Sequence, residues 1–183
     1  MATQIEVARS IGRAQVAVAG WARYAACGWG IAFAAVHLYW ALGGTMGLPP
    51  GWSLRSNTPL LVIAVIAIPL CLGAAALALA LVRPWGRRFP RWLLLSATWG
   101  VAALFVIHAA PALPDYVGLV LGRRAGALTP PDRFDLFLYE PWFLVGGIVF
   151  GLAAWGYQRR SRDGRSQGAP SRGEPTAPLA REA

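Results

Sequence analysis

The chain has 183 residues, of which 56% are hydrophobic and only 14% charged, with nine Trp. That composition excludes an ordinary water-soluble domain and points to the bilayer. The net charge is +9, yet no basic surface with interleaved aromatics and no nucleic-acid motif accompanies it, so nucleic acid is not an expected partner.

In chain order, residues 1–20 read as a mildly amphipathic cytoplasmic lead-in able to lie along lipid headgroups, with Ile5, Val7, Ile11, Val16 and Val18 among Arg9 and Arg13. A transmembrane domain over 21–158 follows. Its four apolar stretches, near 24–43, 59–82, 92–113 and 136–156, each approach the roughly 20 residues needed to cross a hydrocarbon layer about 30 Å thick. The loop Thr45 to Trp52 is rich in turn formers and ends on an interfacial Trp. Pro69 should kink the second stretch. A short loop from Arg83 to Arg91 forces an antiparallel return. The loop from Pro114 to Phe137 is longer, with room for a short helix over Tyr116 to Leu128 and with Asp132 and Asp135 as a cap before the fourth stretch. Residues 159–183 are rich in Gly, Pro, Ser, Arg and Glu and should be disordered.

Charge placement sets the orientation. All seventeen basic residues are Arg. Thirteen fall in the N-terminal segment, the second loop and the tail, against Arg55, Arg123, Arg124 and Arg133 in the other two loops. By the positive-inside rule this is a multi-pass protein of the cytoplasmic (inner) membrane with both termini in the cytoplasm, the excess charge facing anionic lipid headgroups. Cys27 and Cys71 lie alone in the first two stretches, and without a C-x-x-C they read as small buried hydrophobes.

The expected fold is all-α, a four-helix transmembrane bundle. Trp21, Trp29-Gly30 and His37 are echoed by Trp92, Trp99-Gly100 and His108, which suggests two related helical hairpins about an axis along the membrane normal. In the fourth stretch Glu140, Leu144, Gly147, Gly151 and Ala154 trace one helical stripe, and in the first so do Ala26, Gly30, Phe33, His37, Ala41 and Gly44. These small-residue stripes are the packing faces. Gly147-x-x-x-Gly151 is also a candidate face for a partner helix or a second copy of the chain. The stripe of His108 (Leu94, Ala97, Val101, Leu104) suits lipid as well as protein, and its inward placement rests on the cost of a polar group in hydrocarbon.

His37 and His108, the only two histidines, lie about 7 to 8 Å below the outer ends of their helices, and Glu140 lies about 6 Å inside the fourth. Converging on one cavity, they form a candidate acid–base set, with Tyr39, Trp40, Asp115, Tyr139 and Trp142 as candidate ligand contacts. The ligand would be a lipophilic small molecule. The same aromatics also fit an ordinary outer belt, and each His an interhelical hydrogen bond. Two His at one depth can bind haem, or with Glu140 a metal, but neither has a spacing signature, so no cofactor or metal is expected. No P-loop, H-E-x-x-H or G-x-S-x-G is present.

His37-Leu-Tyr-Trp-Ala-Leu-Gly-Gly44 and Tyr139-Glu-Pro-Trp-Phe-Leu-Val-Gly-Gly147 resemble a family of small, four-span bacterial membrane proteins known only as a domain of unknown function. The resemblance implies the fold and the membrane location over most of 20–158. It implies no catalytic residues. The functional expectations are binding of a lipid-like or isoprenoid-like molecule near the outer leaflet, a membrane enzyme of isomerase or cyclase type using Glu140 with His37 or His108, or a scaffold subunit docking a partner.

Overall fold

The structure is a computed structural model that describes the backbone of residues 2–123 and 128–167, with side chains for 4, 6, 7, 20–123, 128, 129 and 131–160. Among these residues the fold is all-α. The helices are α1 (Ala2–Ala41), α2 (Thr58–Ala80), α3 (Arg91–Ala109), α4 (Leu113–Val120), α5 (Pro130–Phe134) and α6 (Glu140–Gln167), joined by short 3-10 turns and, between α5 and α6, by a π-helical turn.

Local chemistry explains the ends. Asn57 caps α2 by accepting from the Leu60 N–H, with Pro59 in the first turn. α5 opens on a reciprocal capping box in which Thr129 is the N-cap and Asp132 its partner; of the expected pair only Asp132 caps, and Asp135 opens the π turn instead. The short outer helix, expected over 116–128, is instead α4, ending at Val120. α6 continues to Gln167 rather than stopping near Gly156, and the rest of the tail lies outside the described residues.

Among the described residues, three helical segments are long and apolar enough to cross a membrane: Thr58–Ala80, Arg91–Val120 and Pro131–Arg160, with mean hydropathies of 2.8, 1.9 and 1.7. The fourth expected span, in α1, is not among them, because His37, two Trp, two Tyr and two Gly dilute its apolar content. The lead-in is not a separate element either: α1 is one helix of 40 residues, about 60 Å long and twice the thickness of the hydrocarbon layer.

The helices pair as two hairpins, α1 with α2 and α3 with α6, joined along the α1–α6 seam, while α2 and α3 meet far less. Glycines let the backbones close. A Cβ on Gly30 would lie 2.9 Å from the Cys71 carbonyl of α2, one on Gly146 would lie 2.6 Å from the Trp29 ring, and one on Gly147 would lie 2.7 Å from Val106 of α3. In lipid such close approach stands in for the hydrophobic drive of a soluble core. The centre is aromatic. Trp29 has ring centroids 4.8 Å from Phe33, 4.6 Å from Phe105, 5.7 Å from Trp142 and 6.2 Å from Phe150, so one α1 side chain ties together α3 and α6. Cys27 and Cys71 are buried and unbridged. Outward, Ile31, Val62, Ile63, Ile66, Leu70, Leu104 and Ile107 are all at least half exposed, an apolar coat of the kind hydrocarbon covers.

Candidate functional site

The site is built around Pro141. In the continuous helical run from α5 into α6, a proline supplies no N–H and its ring collides with the preceding turn. The chain answers by widening over Asp135–Tyr139, where the Glu140 N–H reaches the Asp135 carbonyl, one residue farther back than in an α-helix. This shift leaves the Leu136 carbonyl with no helical partner, since Glu140 bonds Asp135 and Pro141 has nothing to donate. The Tyr116 hydroxyl of α4 donates to it instead. Glu140 and Pro141 therefore do not open a free helix N-terminus. The π turn and α5 precede them, so the amide dipoles ahead of Glu140 are already part of a helical run.

The loop between α1 and α2 folds down onto this turn. Trp40 Nε1–H donates to the Met46 carbonyl at 2.9 Å, and the Met46 N–H donates to the Tyr39 hydroxyl at 3.3 Å. The Tyr139 hydroxyl donates to the Gly47 carbonyl at 2.5 Å. Gly47 has φ +81, a left-handed conformation that glycine adopts without strain and that lets the loop turn back over α6. Trp40 meets Tyr139 edge to face at 5.9 Å.

Beneath the loop lies a cavity of about 270 Å³. Its polar lining includes His37 of α1, His108 of α3, Glu140 of α6, and Asp135 and Tyr139 of the π turn. Its apolar wall comes from Leu54, Leu60, Ile63 and Ala64. His37 is half-buried and its Nδ1–H donates to the Phe33 carbonyl at 2.9 Å, since a carbonyl only accepts. In the neutral ring Nε2 is then an acceptor. His37 also packs edge-on against Phe33 at 4.4 Å and Trp40 at 5.5 Å. His108 is mostly exposed and lies over Phe143, with ring centroids 3.8 Å apart. Glu140 has a buried Oε2 without a hydrogen-bond partner.

Five of the eight residues singled out from sequence therefore share one cavity: His37, His108, Glu140, Trp40 and Tyr139. Three do not line it. Tyr39 folds over Gly44. Trp142 stacks on Trp29 in the core, with its ring N–H buried and unpartnered. Asp115 lines a neighbouring cavity of about 170 Å³ with Asp132, Asp135 and Glu140, so the two cavities share Asp135 and Glu140. Asp135 and Phe143 were missed as lining residues. Phe143 follows Glu140 at helical spacing, which was a usable signal, whereas Asp135 joins Glu140 only because the turn between them is π. Among the described residues no group of three His, Cys, Asp or Glu is placed to hold a metal.

Among the described residues, an all-α fold with three membrane-length apolar helices and a small mixed polar–apolar cavity under the α1–α2 loop is compatible with a helical membrane protein. The chain belongs to the family described as Protein of unknown function (DUF3995), whose model matches residues 30–150. That range includes His37, the outer loop, His108, the π turn and Glu140. No curated protein and no solved structure matches the chain.

Proposed function

We propose that this is a multi-pass inner-membrane protein in which α1 serves as a fourth span, both termini lie in the cytoplasm, and the cavity receives a lipid-like or isoprenoid-like molecule from the outer leaflet. The observation that carries this reading is the unpartnered Glu140 oxygen lining the same space as the acceptor-competent His37. A buried acceptor without a donor is costly, and a ligand hydroxyl would donate to the Glu140 oxygen, while His37 Nε2 can accept from a second hydroxyl of the ligand or a water. The opposite wall offers only carbon. At about 270 Å³ the space falls just below the usual range for whole ligands. It suits a polar head and the first few carbons, with the remaining chain in the bilayer.

The test is to purify the full chain from membranes, extract its retained lipids and identify them by mass spectrometry. Glu140→Gln and His37→Ala should each lower retention of a hydroxyl-bearing lipid about tenfold, as the loss of one well-made buried hydrogen bond would, with melting temperature unchanged. Equal retention in well-folded variants would end this reading.

A second reading, acid–base catalysis of isomerase or cyclase type on such a molecule, is favoured by a carboxyl and two imidazoles lining one cavity. It predicts conversion of an added isoprenoid alcohol that both variants abolish. The scaffold reading draws less support. Gly147 and Gly151, offered as a docking face for a partner helix or a second copy, lie against Val106 and Trp99 of α3 in the same chain.

A further inference from the structure

At the end of the bundle away from the cavity, Arg23 of α1 is only 1% exposed. Its guanidinium makes one long hydrogen bond, Nη1–H donating to the Leu81 carbonyl just past α2 at 3.5 Å, and its Nε has no partner. Arginine does not shed its proton, so this is a buried positive charge. Such a charge is expensive unless an anion balances it. Another cation reaches the same stretch of α1: a Cβ on Gly20, one turn before Arg23, would lie 4.0 Å from Nη2 of Arg160, whose charge acts on Arg23. A third arginine flanks the same end of α6. Arg91 lies over the Tyr157 ring at 5.6 Å, and its Nε is also buried without a partner. Among the residues whose side chains are described, the carboxylates of Asp115, Asp132, Asp135 and Glu140 belong to the opposite end, and Glu6 lies four to five helical turns from Arg23 along α1.

We propose that Arg23 and Arg160 form a binding site for a phosphate oxyanion between α1 and the end of α6, with Arg91 at its margin. Unused guanidinium N–H groups on two helices suit the several acceptor oxygens of a phosphate. The site lies where the charge distribution puts the cytoplasmic headgroups. A phosphate can come from an anionic phospholipid or from solution.

The experiment uses the full chain in nanodiscs containing phosphatidylglycerol and phosphatidylcholine in equal amounts, with retained lipids counted by native mass spectrometry. A parallel melting series compares inorganic phosphate with chloride at matched ionic strength. Wild type should retain phosphatidylglycerol preferentially if the lipid is the source, or melt higher in phosphate if the free ion is. Arg160→Gln should reduce whichever signal appears about fivefold, Arg160→Lys should restore part of it, and Arg88→Gln, in the exposed loop, should leave it intact. Arg160 is exposed, so its variants keep the test valid if Arg23→Gln fails to fold. Neither signal in wild type, or an equal loss in Arg88→Gln, would overturn the proposal.

Discussion

The carbonyl of Leu136 shows how one residue shapes the site. Pro141 withholds its partner, the helix widens, and Tyr116 supplies a hydroxyl from another element. Tyr116→Phe should therefore lower stability by about 1–3 kcal/mol, the cost of an unsatisfied buried polar group, read as a drop in melting temperature. In a Pro141→Ala background the new backbone N–H can reach the freed carbonyl, so the same substitution should cost less. A double-mutant cycle measures the difference as a coupling energy, and strict additivity would refute this account of the π turn. At this scale the sequence was informative about which groups could carry chemistry, because the chain has only two His and Glu140 is the one carboxylate within its four apolar stretches. It was silent on Asp135, whose place in the cavity depends on a helical register that Pro141 alters.

Element by element, the stripes of small residues predicted part of the packing faces, although Leu144 is exposed and Gly44 lies past the end of α1. Ala26, Gly30 and Phe33 are buried in α1, as are Gly147 and Ala154 in α6. In α3 the buried line is Leu94, Thr98, Ala102, Phe105 and Ala109, one position off the His108 stripe, so His108 reaches the cavity from the margin of its helix. The suggested hairpins do pair, α1 with α2 and α3 with α6, but their matched tryptophans differ: Trp29 is 7% exposed and Trp99 44%. Gly147→Leu should push α3 off α6, since even a Cβ there meets Val106 at 2.7 Å and the Ala102 carbonyl at 3.2 Å. A loss of at least about 2 kcal/mol is expected from overpacking at backbone. Gly151→Ala, whose Cβ would meet only Trp99 at 3.7 Å, should be near neutral. Thermal melting in detergent compares the two.

For the whole molecule, the open question is the path of α1, whose composition is too mixed to mark it as a span even though it packs along both α2 and α6. With α1 crossing, Trp52 faces the outside and the tail the cytoplasm. In a Cys27→Ala/Cys71→Ala background, Trp52→Cys should react with a membrane-impermeant maleimide on intact cells, and Thr3→Cys and Ser171→Cys only after lysis. Labelling of Thr3→Cys and Trp52→Cys from the same side would mean that α1 does not cross, and labelling of Trp52→Cys only after lysis would remove the topology on which the outer-leaflet site depends.

Amino-acid sequence alone was enough for the helical class, the membrane-compatible composition, the inward stripes of α1 and α6, and the layer in which the chemistry lies. These follow from composition and from a 3.6-residue period, both local properties of a chain in hydrocarbon. Tertiary structure decided which members of that layer meet. It drew Tyr39 onto the loop and Trp142 into the aromatic core, put Asp115 in a separate acidic cavity, and brought His37, His108 and Glu140 together around a turn widened by Pro141. Equal depth along separate helices does not determine their rotation or order. Those depend on which glycines let which backbones approach, and that is a property of pairs of helices.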